Sequence, residues 1–517
     1  MAGAAPFEKQ QPRAGLAGRL GNGHLDPRIA VRLKIPARAA PTPIPMANHD
    51  RRRASPEAQS KYTAMATACA ALAALAILAG AAGSEPAAHP GEPALAGASV
   101  NVRNPPYLAA GDGKTDDTRA IQAALDAVGA GGGGTVLVPA GTYLVATHLV
   151  VPAGTSLAGV GRAPELYADK APGSTLLAVE GAGHADGPAF ITLQGPNSVL
   201  QGLKVLYPGQ VVADRPVAFP WTVRGGAGDG AALIDVLLVN PYQAVDLATQ
   251  GGSRHYIRGL YGQPLLKGIW VDRCTDIGRI HDVHFWPFWS QDKRILDFTE
   301  ANATSFIFQR ADWEVVENIF SWGYHVGIEL SASKDGSTNG QMTDVDLDGV
   351  DIGIDARSTQ QPGVSISNLA IANDARGTSR VAIWGRAGAD AGFQERELNG
   401  RHVREPNTVV LFVRGGSFWG QLDRVVRWEN PGLISLSDSR LVPWMLNGPM
   451  IELLAGQAMI HDNSMTIYPG VVKGAGPGTA VAIGPGVAGA IIHHNQLNGN
   501  RVDNGAGPLA DVSGNMP

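Results

Sequence analysis

Apolar residues in this chain recur at two periods, and the change from one to the other sets the expected architecture. Ile121, Ala124, Leu125 and Val128 fall at i, i+3, i+4 and i+7, which is one apolar stripe of a helix. Thr115 is placed to cap that helix, with Asp116 and Asp117 in a first turn whose dipole favours negative charge. Gly131-Gly132-Gly133-Gly134 ends it. Beyond this point the period is two. Thr135-Val136-Leu137-Val138, Leu144-Val145, His148-Leu149-Val150-Val151 and Ser156-Leu157-Ala158 are short strands punctuated by glycine and proline.

The same text returns along the chain, at 233–240, 279–286, 315–322, 342–348, 364–371, 459–463, 491–495 and 511–515. In each, apolar residues alternate, Asn or Asp marks a corner, and a further strand follows. Irregular repetition on a period of roughly 20–50 residues predicts a solenoid whose stacked strands share one continuous core. Aligning the apolar positions puts Val236, Val283, Ile319 and Val345 in one inward column and Val239, Trp286, Trp322 and Asp348 in one outward column. Asn463, Asn495 and Asn515 are expected to bond neighbouring turns through their amides. Between Asp374 and Asn407 the pattern thins into Gly and Arg, which predicts a protruding loop.

Composition agrees with many tight turns. The 66 glycines of 517 residues are about 13 per cent, against a usual ~7 per cent, and they are dispersed among β-branched residues. Charged residues are 17% of the chain, too few for long solvated helices to dominate. The net charge of −5 argues against a nucleic-acid partner. Of the two cysteines, Cys69 and Cys274, the first lies in a segment expected to be removed, and no paired Cys/His spacing points to zinc. Neither a metal nor another cofactor is expected.

Residues 1–45 have no sustained apolar period and read as disordered, or as an untranslated extension preceding a start at Met46. Residues 46–83 combine Arg51-Arg52-Arg53, an apolar centre at Leu72, Leu75, Ile77 and Leu78, and a small-residue end, the layout of a secretory signal. An uncleaved anchor is the competing reading; after cleavage no stable membrane insertion is expected, and the protein would be secreted or periplasmic. Residues 84–98 form an Ala/Pro/Gly linker, leaving 99–517 as the folded domain.

The stretch from Gly111-Asp112-Gly113-Lys114-Thr115-Asp116-Asp117-Thr118 to Leu125, followed by Val136-Leu137-Val138-Pro139-Ala140-Gly141-Thr142-Tyr143, resembles the opening of pectate lyase-superfamily domains. That superfamily includes polygalacturonase-like and rhamnogalacturonase-like hydrolases, uronan epimerases and phage tailspikes. The resemblance implies an all-β, single-stranded, right-handed parallel β-helix capped by an amino-terminal helix, with a polysaccharide or oligosaccharide as partner. It also implies that Asp116-Asp117 begins the capping helix and is not a catalytic dyad. The polygalacturonase patterns Asn-Thr-Asp, Gly-His-Gly and Arg-Ile-Lys are missing, and no calcium-aspartate cluster with a basic partner stands out, although Lys267, Arg273 and Arg294 are available.

Candidate chemistry therefore rests on composition of the coils. Trp286, Trp289, Trp322 and Tyr324 supply aromatic rings suited to sugar faces on neighbouring coils. Asp344, Asp346, Asp348, Asp351 and Asp355 follow at once, with His325 one coil earlier. Because glycosidases need two carboxylates, Asp346, Asp348 and Asp351, with His325 tuning them, are the expected catalytic set for a glycoside hydrolase. A polysaccharide lyase and a non-catalytic glycan-binding protein are the alternatives. The competing role for any one aspartate is to turn a corner.

Overall fold

The computed structural model describes residues 98–161, 172–226, 228–373, 380–387, 392–398, 401–444, 446–467 and 478–517, all within the unit Gly91–Pro517. The expected amino-terminal extension, the signal segment and all but the last residue of the linker lie outside the described residues. Among those residues no helix is long and apolar enough to cross a membrane.

Among the described residues two parallel sheets, one of 22 strands and one of 13, form as the chain winds a right-handed β-helix. Register explains why the winding is regular. Val236, Leu260, Val283, Ile319, Val345 and Leu369 are successive partners in one column, each at most 1% exposed. Burying one such aliphatic side chain contributes about 1.5–3 kcal/mol, so the column is a main source of stability. The expected inward column is thus present, with Leu260 as a coil not anticipated.

One residue before each inward position the chain turns. Asp235, Asp282, Asn318, Asp344 and Asn368 all have φ between 52° and 54°. Asn and Asp tolerate this left-handed conformation because their short polar side chains bond locally. Asn318 Nδ2 donates to Asp282 Oδ1 at 2.7 Å, and Asn368 Nδ2 to Asp344 Oδ1 at 3.0 Å. At the carboxy-terminal end the expected asparagine ladder is present: Asn463 Nδ2 donates to Asn495 Oδ1, and Asn495 Nδ2 to Asn515 Oδ1, each at 3.0 Å.

The amino-terminal helix spans Thr118–Ala130 and buries Ile121, Ala124, Leu125 and Val128, as the periodicity predicts. Its start differs from the expectation. Asp112–Asp116 is a strand, Asp117 is the N-cap, and no acidic residue lies in the first turn. The buried Asp117 carboxylate instead accepts from the backbone N–H groups of Ala110 (2.6 Å) and Gly111 (2.9 Å), tying the entering loop to the helix. Asp116 accepts from the Thr118 hydroxyl and N–H, which holds its carboxyl below the usual range.

Among the described residues a helix and a hairpin interrupt the winding. A second helix, Lys293–Asn302, capped by the Asp292 side chain, sits between the strands Arg279–Phe285 and Thr304–Phe308. In the stretch where a protruding loop is expected, Phe393–Leu398 and Arg401–Pro406 form an antiparallel hairpin outside both parallel sheets. Parts of that stretch lie outside the described residues.

Candidate functional site

On the strands Arg279–Phe285, Glu314–Trp322, Gly340–Asp348 and Val364–Asn373, the residue after each inward position faces out. The resulting column is His284, Phe320, Asp346 and Ala370, continued by Ser417. Two residues further along, Trp322, Asp348, Ala372 and Trp419 form a parallel column. The outward face therefore changes along the helix axis from aromatic, to acidic, to small, and back to aromatic.

The first aromatic wall is continuous. Trp286 lies 5.4 Å from Trp322 and 6.2 Å from Phe320 between ring centroids, and His284 lies 4.8 Å from Phe320. Trp286 and Trp322 are half-buried, each leaving part of a ring to solvent. His284 is held below the usual histidine range by burial and is neutral near pH 7. Trp289 and Phe288 pack with Leu237 and Val239 in a small satellite cluster beneath this wall. Trp289 is thus partly a packing residue, its backbone N–H held by Gln263 Oε1 at 3.0 Å.

Two expected positions are corrected by this geometry. Val239 is fully buried, because Phe288 and the turn carrying it cover the place where an outward face would be. Tyr324 is 2% exposed, belongs to the main core, and donates its hydroxyl to the Pro264 carbonyl at 3.0 Å, so it does not face substrate. Gly323, with φ of 78°, ends the strand after Trp322 and resets the alternation that would have placed Tyr324 outward.

The carboxylates separate into three environments. Asp344 occupies the left-handed corner described above. Asp355 is fully buried in the second sheet and ion-paired by Arg357 (2.6 Å) and Arg386 (2.7 Å), so it is structural. Asp346 and Asp348 face outward between Phe320 and Trp322 on one side and Ala370 and Ala372 on the other. Partial burial, with the nearby charge of Asp344, pushes the Asp346 carboxyl above its usual value.

Around the corner, Asp351 and His325 are neighbours on successive coils. His325 Nδ1 lies 3.2 Å from Asp351 Oδ2, while the backbones join through Ile352 N–H to His325 O at 2.9 Å. The imidazole is partly exposed; Asp351 is nearly covered, and its Oδ1 is buried without a hydrogen-bond partner. His325 N–H also donates to Thr299 O at 3.0 Å, so the Lys293–Asn302 helix positions this pair. All of the expected catalytic residues thus lie on or beside one corner, with Asp346 and Asp348 on its open side.

Trp419 is 43% exposed and lies 6.0 Å from Trp444, yet sequence alignment of the coils passed over it. A signal was available: Phe418-Trp419 is an in/out pair between Gly415-Gly416 and Gly420.

A cavity of about 640 Å³ lies beside the Lys293–Asn302 helix, lined by Asp214, Arg215, Tyr242, Arg294, Asp297 and Phe298 among others. Two of its charged groups are engaged by residues of the helix start, Arg294 by Asp292 at 2.9 Å and Asp297 by Lys293. The open face with its two free aromatic walls is the better candidate. Among the described residues the acidic groups on that face do not converge as metal ligands; the group that does is interior, His255, Cys274 and Glu314.

Comparison with known proteins agrees with this architecture. Residues 99–197 match the family described as rhamnogalacturonase A/epimerase, pectate lyase-like. Over 45 residues, 9% of this chain and 5% of the relative, the sequence is 66% identical to alginate lyase 7 of Azotobacter vinelandii. Over 68 residues, 12% of each chain, it is 48% identical to mannuronan C5-epimerase AlgE4 of the same organism. The chain therefore spans only a small fraction of these curated relatives. The tailspike of E. coli bacteriophage HK620, solved with a pentasaccharide, superposes with a TM-score of 0.51 at 13% identity, covering 76% of this chain and 71% of that one. Residues 99–197 are thus similar to pectate lyase-like proteins, and the fold of the described residues is a parallel β-helix.

Proposed function

We propose that this pectate lyase-like β-helix protein is a glycoside hydrolase that cleaves a polysaccharide lying along the outward face, with Asp346 as general acid and Asp348 as general base. The observation that carries the reading is the placement of these two carboxylates on one strand face, between the Trp286–Trp322 wall and Trp419. Residues i and i+2 of a parallel strand are about 6.6 Å apart along the backbone and point to the same side, which allows their carboxyl groups the separation of ~6.5–9.5 Å that leaves room for a water. The raised carboxyl of Asp346 suits the acid that protonates the leaving oxygen. Asp348 then activates water on the opposite side of the ring, which gives inversion at the anomeric carbon.

Charge favours a neutral glycan over a polyuronate. Asp344 and Asp348 would oppose a carboxylated chain, and elimination next to a uronate needs that charge neutralised. The cations available for such a role are engaged elsewhere: Lys267 lies over the rings of Trp221 and Trp270, Arg273 donates to Ala248 O at 2.6 Å, and Arg294 pairs with Asp292. The same acidic face opposes a nucleic-acid backbone. Export, which residues 46–83 support, fits a polymeric substrate too large to enter a cell.

The test is incubation of the protein with a panel of neutral and acidic polysaccharides. Reducing ends of inverted configuration by NMR, released from a neutral polymer without a new ultraviolet-absorbing double bond, support the reading. Unsaturated products assign a lyase, and tight binding without cleavage assigns a glycan-binding protein; either result overturns it.

A further inference from the structure

We propose that His255, Cys274 and Glu314 form a buried binding site for a zinc-like divalent cation that joins successive coils of the β-helix. The three side chains are all buried, and one ligand atom from each lies within 4.8 Å of the others.

Register shows how the fold builds the site. Tyr256, Arg279, Val315 and Gln341 are successive partners, so the preceding residues His255, Gly278, Glu314 and Gly340 stack in one column. His255 and Glu314 sit two coils apart and meet across Gly278, with His255 Nε2 and Glu314 Oε1 2.8 Å apart. A Cβ on residue 278 would lie 2.2 Å from His255 Nε2 and 2.4 Å from Glu314 Oε2. Glycine therefore leaves open the space in which the two groups converge. Cys274 enters from the preceding corner, where it bridges to Ala311, and its Sγ lies 3.5 Å from the Asp276 carbonyl oxygen.

The hydrogen bonding of the trio is incomplete without a further group. His255 Nδ1 and Glu314 Oε2 are buried and have no hydrogen-bond partner. Buried polar atoms ordinarily find partners, and an open carboxylate oxygen beside an open imidazole nitrogen and a thiol is a ligand set awaiting a cation. The chemistry of the set selects the cation. One thiolate, one imidazole and one carboxylate match zinc and other borderline divalent ions and are poorly suited to calcium or magnesium, which take oxygen ligands. A fourth position is left for a water or for the Asp276 carbonyl. Binding replaces the protons of the thiol and of the imidazole nitrogen that ligates, and releases them to solvent. Because all three side chains are buried, the ion enters as the coils close, and the site is structural.

Refolding the full chain from denaturant in zinc chloride, then desalting and measuring metal by mass spectrometry, tests the site on the natural sequence. The expected result is about one zinc per chain, with a cobalt-refolded sample showing a thiolate-to-cobalt charge-transfer band. Cys274→Ser should lose that band and retain less than about a tenth of the zinc. Refolded natural protein holding under about 0.1 zinc per chain, with no cobalt band, would overturn the proposal even if no variant folds. Full zinc retention by a folded Cys274→Ser protein would overturn it equally, since the ion would then be bound elsewhere.

Discussion

Asp346 stands in register with Phe320 of the preceding coil, so a carboxyl group faces out beside an aromatic ring at the point where the surface turns from apolar to acidic. The ring side limits solvation of the charged form, and the corner residue Asp344 adds a like charge, so Asp346 holds its proton to a higher pH than an ordinary aspartate. Asp348, two residues on, shares the face and meets Trp322 in register. Replacing either residue by Asn should lower turnover by at least ~10²-fold with little change in melting temperature. Steady-state kinetics beside a thermal melt checks both halves, and full turnover in both variants would remove the pair from catalysis.

The raised carboxyl gives a pH prediction with a definite sign. In the proposed mechanism Asp346 is the general acid and works only while protonated, so the alkaline limb of the pH–rate profile should report its ionisation. Asp344→Asn removes the neighbouring negative charge, makes Asp346 easier to ionise, and should move that limb to lower pH. The substitution suits the backbone, since Asn318 and Asn368 already occupy the same left-handed corner in adjoining coils. A limb unmoved, or moved to higher pH, would show that Asp346 is not the group titrating.

How much of this was legible from sequence follows the range of the interactions. The inward column through Val236, Val283, Ile319 and Val345 was readable because alternation within a strand is local. The corner aspartates and the terminal asparagines were readable for the same reason. Tyr324 and Val239 were misplaced because each depends on a break in that alternation: a glycine at positive φ for Tyr324, a covering turn for Val239. The helix start was placed early because Thr115-Asp116-Asp117 offers cap residues at several positions, and only the long-range bonds from Ala110 and Gly111 to Asp117 decide among them. His255, Cys274 and Glu314 lie 19 and 40 residues apart, a spacing that only coil register brings together. Trp419 was missed because its coil follows the hairpin excursion, which breaks the sequence spacing of the repeat.

The two aromatic walls should act in binding more than in chemistry. Trp322 and Trp419 are three strand steps apart, about 14 Å at the usual strand spacing, with Ala370 and Ala372 leaving the surface between them low. Trp322→Ala and Trp419→Ala should each raise KM by about tenfold or more with a smaller change in kcat, as expected for lost stacking area. Kinetics on oligosaccharides of graded length supplies the check. Short substrates that reach only one wall should be indifferent to loss of the other.

Tyr324 makes the opposite prediction. Its ring fills the core and its hydroxyl satisfies the Pro264 carbonyl, so Tyr324→Phe leaves a buried acceptor unpaired. The expected cost is about 1–3 kcal/mol of stability with KM unchanged. Denaturant unfolding measures the first and substrate titration the second. A raised KM at unchanged stability would return this residue to the binding face.

Asp117 separates two explanations of the same helix by magnitude. If its charge merely favoured the helix dipole, Asp117→Ala would cost ~0.3–1 kcal/mol. The carboxylate is instead buried and accepts two backbone N–H groups, from Ala110 at 2.6 Å and Gly111 at 2.9 Å. Bonds to a charged group contribute roughly 1.5–3 kcal/mol each, and removing the acceptor also strands two donors beside the first coil. The loss should therefore be about 3–6 kcal/mol. Asp117→Asn, which keeps one acceptor oxygen, should recover part of it. Because seven strand steps separate the strand that follows the helix from the strand of Asp346, turnover of the folded fraction should not change in either variant. Chemical denaturation of the three proteins distinguishes the cases, and a loss below about 1 kcal/mol for the alanine variant would restore the dipole as the main contribution.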